Sequence, residues 1–152
     1  MALFLSRNIS TCDSIEDKIW KKIREHEYIS EYISENRDVF LMVASYAFTK
    51  SKHDRKQLIK RNPNGGWLKD LSTAEDSKGE KEEAIDNAIT LMLAVAVDDS
   101  GGLNILDEPV GDIQLIAEEY ANAGAEDFYE LILNSESADT FYKELFEVIN
   151  NN

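Results

Sequence analysis

Apolar residues recur along this chain at spacings of three and four, the period of a helix with one buried face. Ile15, Ile19 and Ile23 mark such a face over 13–26, with Trp20 beside it. Ile29, Tyr32 and Ile33 continue it briefly over 28–33. After Asn36, a plausible cap, Val39, Phe40, Val43, Ala44, Ala47 and Phe48 form a stripe that Leu41, Met42 and Tyr46 widen. A helix apolar over so much of its circumference belongs in the middle of a core. A third helix follows Ser77, with Glu80 completing a capping box, and its face is Ala84, Ile85, Ala88, Ile89, Met92, Leu93 and Ala96. Phe141, Leu145, Val148 and Ile149, with Tyr142 and Phe146 alongside, make the last helix, begun by 135–138.

The stretch 110–133 is the one the others are arranged around. Ile113, Ile116, Ala117, Tyr120 and Ala121 share a face, and Phe128, Leu131 and Ile132 form another. Gly124 stands between them, and glycine takes the left-handed conformation of a helix end without steric cost. The pattern therefore predicts two short helices meeting at Gly124.

The polar segments punctuate this plan. Asn62 to Gly79 reads as a long polar loop opened by the turn residues Pro63, Asn64, Gly65 and Gly66, with Trp67 as its anchor. Its Gly-Gly lacks the spacing and the following Lys-Ser/Thr of a phosphate loop. Asp98 to Gly102 ends the third helix. No run alternates apolar and polar residues over four or more positions. The expectation is an all-α protein: residues 1–152 as a single domain, an irregular bundle of about six helices with one long polar loop at about 62–79.

Length and composition agree with one folded domain: 152 residues, 43% hydrophobic and 30% charged. The single cysteine, Cys12, excludes a disulfide framework and fits a reducing compartment. The start, MALFLSRNIS, is too short and polar for a signal peptide, and the longest apolar run, Ala88 to Val97, is far below the roughly 20 residues that span a bilayer. The expected location is the cytoplasm, away from membranes.

Charge is divided unequally. Residues 1–61 carry 12 Lys/Arg against 9 Asp/Glu, whereas 62–152 carry 4 against 21, within a net charge of −14. One basic run stands out, with Lys50, Lys52, Arg55, Lys56, Lys60 and Arg61 opposed only by Asp54. It is the candidate nucleic-acid-binding segment, since bases so spaced suit phosphates; the same cations also suit a helix C-terminus. The acidic half offers the opposite possibility, a DNA-like surface built from Asp107, Glu108, Asp112, Glu118, Glu119, Glu126, Asp127 and Glu130. Read plainly, these acids form a solvated face.

Catalytic constellations are not apparent. His26 and His53 are at metal-ligand spacing neither to each other nor to Cys12. The acidic turn at 98–102 lacks the ligand spacing and closing Glu of a calcium loop. Adjacent acids such as Glu118-Glu119 point in different directions on a helix, which suits no acid/base couple. The reading assigns no catalytic residue, no cofactor and no metal.

The segment 117–124, Ala-Glu-Glu-Tyr-Ala-Asn-Ala-Gly, followed by Phe128 and Leu131, resembles the DNA phosphorothioation-associated protein 4 family, small proteins encoded beside Dnd-type loci. The apolar run 38–44 and the basic stretch after it resemble an earlier part of that family, so the likeness spans roughly 36–133. Where the family has a glycine near the end of the early helix, this chain has Tyr46-Ala47-Phe48. The resemblance implies an accessory role in a DNA modification–restriction and phage-defence system. It implies protein subunits of that assembly as partners, with DNA as a further candidate, and no assigned catalytic residues. Glu118, Glu119, Tyr120, Asn122 and Gly124 are its candidate interaction residues.

Overall fold

The computed structural model describes residues 10–12, 16–33, 36–50, 61–63, 91, 93–107 and 110–150. Among them the architecture is all-α, as the periodicity predicts. The first helical segment opens with a π turn, Glu16–Trp20, and continues as α1, Lys21–Glu25. Then come α2, Glu27–Ser30, and α3, Asn36–Lys50. A helix over 93–100, α4, leads through Gly101 to a 3-10 turn, Leu103–Asp107. The chain ends with α5, Val110–Asn134, and α6, Ala138–Asn150.

One pairing was not legible in the pattern. Ser10–Cys12 (β1) and Arg61–Pro63 (β2) form a short antiparallel ribbon, with Cys12 opposite Arg61. The expected loop at 62–79 lies mostly outside the described residues, as does the N-terminal part of the third predicted helix.

The two-helix reading of 110–133 is overturned. α5 runs through Gly124 as one helix of 25 residues. Only Gly101, closing α4 with φ 80°, takes the left-handed conformation among the described glycines. The reason lies in the stripe itself. Ile113, Ala117, Tyr120, Ala121, Ala125, Phe128 and Ile132 are all buried, and Gly124 falls in step with them. A mid-helix glycine costs about 0.5–1 kcal/mol relative to alanine, and burial along both halves of one continuous face outweighs it.

Gly124 is there because α3 comes too close for a side chain. A Cβ built on Gly124 falls on Ala47 Cβ and lies 3.0 Å from Ala47 Cα. α3 and α5 are thus packed through small residues at their crossing and through Val39, Phe40, Val43 and Tyr46 around it. Tyr46 meets Phe128 edge to face at 5.6 Å, and Phe48 meets Tyr120 likewise at 5.2 Å.

Over 116–122 α5 is buried all the way round. Trp20, expected at the side of its helix, is fully buried and stacks on Phe40 at 6.4 Å, while Ile19 is only partly buried. The π turn widens the first helical segment just before Trp20, so simple 3.6-residue spacing does not carry through it.

α6 closes the other end. Ser137 Oγ accepts the Thr140 amide at 3.2 Å, a side-chain cap for orphan amides. Phe141 and Leu145 enter the core, where Phe141 meets Phe128 edge to face at 5.6 Å. Tyr28 donates to the Ser135 carbonyl at 3.1 Å, and Tyr142 donates to the Tyr28 carbonyl at 2.5 Å, which ties α2 to the start of α6. Phe146, on the flank of α6, is 69% exposed.

Candidate functional site

The residues singled out in 117–124 lie in the interior. Glu118, Tyr120 and Asn122 are at most 3% exposed and Glu119 is 9% exposed. The expectation that Glu118 and Glu119 belong to a solvated face is therefore corrected. Buried carboxylates persist only when partnered, and each of the two has an interaction partner. A DNA-like surface cannot include them; of its candidates, Asp107, Glu126, Asp127 and Glu130 are exposed. Glu108 and the side chain of Asp112 lie outside the described part.

Asn122 is the polar hinge of this interior. Its Oδ1 accepts the Trp20 indole N–H at 2.9 Å, and its Nδ2 donates to the Glu118 carbonyl one turn earlier at 2.7 Å. Both ends of the amide are thus used without water. Tyr120, buried in its ring, sends its hydroxyl out to Asp99 Oδ1 at 2.6 Å. That contact joins α5 to the end of α4, where Ser100 Oγ lies 3.2 Å from the Val97 carbonyl and 3.0 Å from that of Gly102. The segment 117–124 therefore works as a keystone: Trp20 on one side, Ala47 beneath Gly124, and Asp99 above Tyr120.

Ser100, Gly101 and Gly102 of the turn at 98–102 line an open depression of about 260 Å³ together with Asn104 and Ile105. Among the described residues no three of His, Cys, Asp or Glu stand together as metal ligands would. His26 acts structurally: its Nδ1 accepts the Tyr28 amide at 3.1 Å and caps α2.

Of the basic run, Lys50 and Arg61 fall in the described residues, while Lys52, Arg55, Lys56 and Lys60 lie outside them. Arg61 starts β2. Lys50, exposed at the end of α3, donates to the Tyr46 hydroxyl at 3.0 Å and stands 5.4 Å over the Tyr46 ring. The hydrogen bond to Tyr46 holds its ammonium above the usual lysine value of 10.5; burial opposes this, and the charge interactions with Tyr46, Asp127 and Glu130 add to the rise. The first cation of the run thus lies in the field of acids on α5.

Exposed acids run along the last two helices: Glu126, Asp127 and Glu130 on α5, Glu136 in the turn, and Asp139, Glu144 and Glu147 on α6. Lys143 is the one base in that span. Among the described residues no helix is long and apolar enough to cross a membrane.

Sequence reasoning found the stripe but missed Trp20 and Asp99 as the partners of Asn122 and Tyr120. Their separations of 102 and 21 residues leave no local signal.

Compared with family models, with curated proteins and with solved structures, the chain finds no match.

Proposed function

We propose that this chain is a non-enzymatic interaction subunit of a DNA modification–restriction assembly of the phosphorothioation type, working by protein contact. The likeness over 117–124 supplies the system. The observation that carries the mode of action is the acidic surface of the last two helices, with Glu126, Asp127 and Glu130 exposed on α5 and Asp139, Glu144 and Glu147 on α6. Such a surface attracts a cationic partner and repels a polyanion. The keystone residues Glu118, Tyr120, Asn122 and Gly124 serve it from inside, by holding α5 against α3 and the first helical segment.

Direct DNA binding through 50–61 is the competing reading. The field of Asp127 and Glu130 at Lys50 weighs against it, because those carboxylates compete with phosphates for the same cation. Affinity capture of the products of neighbouring genes with the full chain tests the proposal. The expected outcome is a complex that weakens steeply as salt rises, since exposed charges are screened beyond about 8–10 Å at physiological ionic strength. Capture of none of those products removes the reading. Salt-sensitive binding to duplex DNA, lost when Lys52, Arg55, Lys56 and Lys60 become alanine, replaces it with the competing one.

A further inference from the structure

Three aromatic side chains form a strip on the outside of the α2–α6 junction. Tyr32, just after α2, is 63% exposed, and Phe146 on α6 is 69% exposed. Tyr142 stands between them: its ring meets Tyr32 edge to face at 5.8 Å, and it precedes Phe146 by one helical turn on neighbouring α6 positions. The Tyr142 hydroxyl is held by the Tyr28 carbonyl, so this ring is locked in place. Core packing does not require so much exposed aromatic surface: Phe141 and Leu145 already fill the inward face of α6.

The charges around the strip select what covers it. Glu31 adjoins Tyr32, and Asp139 precedes Tyr142 by three residues on the same side of α6; both are exposed. Lys143, the one base on this helix, sits four residues from both Asp139 and Glu147 and is outnumbered by the acids around it. A second copy of the chain would bring these acids against their own kind, on a molecule of net charge −14. Nucleic acid and anionic lipid meet the same repulsion. A guanidinium, by contrast, stacks on aromatic faces and pairs with carboxylates at once.

We infer that the Tyr32–Tyr142–Phe146 strip is a docking site for an arginine-bearing segment of a partner protein. The rings receive the guanidinium planes, and Glu31 and Asp139 receive their charge. The inference rests on the proposed partner-binding role and adds the chemistry of the partner to it.

The test uses the full-length protein with a blocked hexa-arginine peptide as probe, and hexa-lysine as the control of equal charge. Amide chemical-shift changes on titration are expected to centre on Tyr32, Tyr142 and Phe146. Hexa-arginine should bind more tightly than hexa-lysine. The double variant Tyr32→Ser, Phe146→Ser should weaken hexa-arginine binding about tenfold or more with its circular dichroism unchanged, as both side chains are largely exposed. Absence of binding, equal binding by the variant, or shifts centred on Glu126, Asp127 and Glu130 overturns the inference. So does a wild-type dimer that the double variant dissociates, which would make a second copy the occupant. Capture of neighbouring gene products separates the two levels. Equal capture by the double variant removes the strip and leaves the proposed function. Aromatic-dependent peptide binding with no captured neighbour removes the proposed function and leaves the strip.

Discussion

Gly124 and Ala47 meet at the crossing of α5 and α3 with no room between them for one more methyl group. Gly124→Ala places that methyl on Ala47. The change improves helix propensity by about 0.5–1 kcal/mol, but overpacking a close helix contact costs typically 1–3 kcal/mol. The expected net result is a loss of about 1–2 kcal/mol, and a larger loss for Gly124→Val. Urea melts measure it. Pairing Gly124→Ala with Ala47→Gly should recover part of the loss, because the methyl moves from one helix to the other. A midpoint higher than wild type for Gly124→Ala alone would contradict the packing described.

The Trp20–Asn122 bond predicts a cost for losing either partner. Trp20→Phe leaves Asn122 Oδ1 without the indole donor in a buried site, and an unsatisfied buried polar group costs about 1–3 kcal/mol. Asn122→Leu keeps the volume but strands the Trp20 N–H instead. Denaturant midpoints of the two single variants and the double variant form a cycle. The expected interaction energy is favourable and at least about 0.5 kcal/mol.

Tyr120 and Asp99 form a second cycle. Tyr120→Phe removes a hydroxyl donor to a carboxylate while leaving the buried ring. Asp99 is partly exposed, so the expected cost is about 1 kcal/mol, below the roughly 1.5–3 kcal/mol of hydrogen bonds to charged groups. Asp99→Asn should cost less, because an amide oxygen still accepts. Thermal or urea unfolding of Tyr120→Phe, Asp99→Ala and the double variant reads the coupling.

Alkaline pH should weaken the fold, and the sign follows from two groups. Lys50 is held above its usual 10.5, chiefly by its hydrogen bond to Tyr46. Tyr142 is pushed above its usual 10.0, first by burial and then by Tyr32. In both cases the folded state holds its proton more tightly than the unfolded state. The associated stability is complete below the unfolded values and is lost as pH rises through the folded ones. Stability against urea should therefore fall above about pH 10, near these reference values. Tyr142→Phe and Lys50→Gln should each flatten that fall. A stability that rises with pH over this window would refute the assignment.

Much of this protein is legible from its sequence alone. The three-and-four spacing predicts the helix after Asn36, the last helix, and helical structure on either side of Gly124, because a helix buries one stripe whatever it packs against. Even the continuity of α5 was available in principle, since Gly124 keeps step with Ala117, Ala121 and Phe128. The sequence could not say which of two glycine uses applied, a helix end or a close approach. That depends on Ala47, 77 positions away in the chain.

Burial of the polar residues was likewise a tertiary decision. Glu118 and Asn122 look like ordinary surface positions until Trp20 and the neighbouring helices close around α5. Phe141 and Phe146 are equally apolar in sequence, yet Phe128 and Tyr28 stand over the first, while among the described residues nothing comparable covers the second. Periodicity sets which side chains share a face, as a property of local backbone geometry. Which face is covered, and by what, is set by contacts between residues far apart in the chain, and those leave no mark on local pattern.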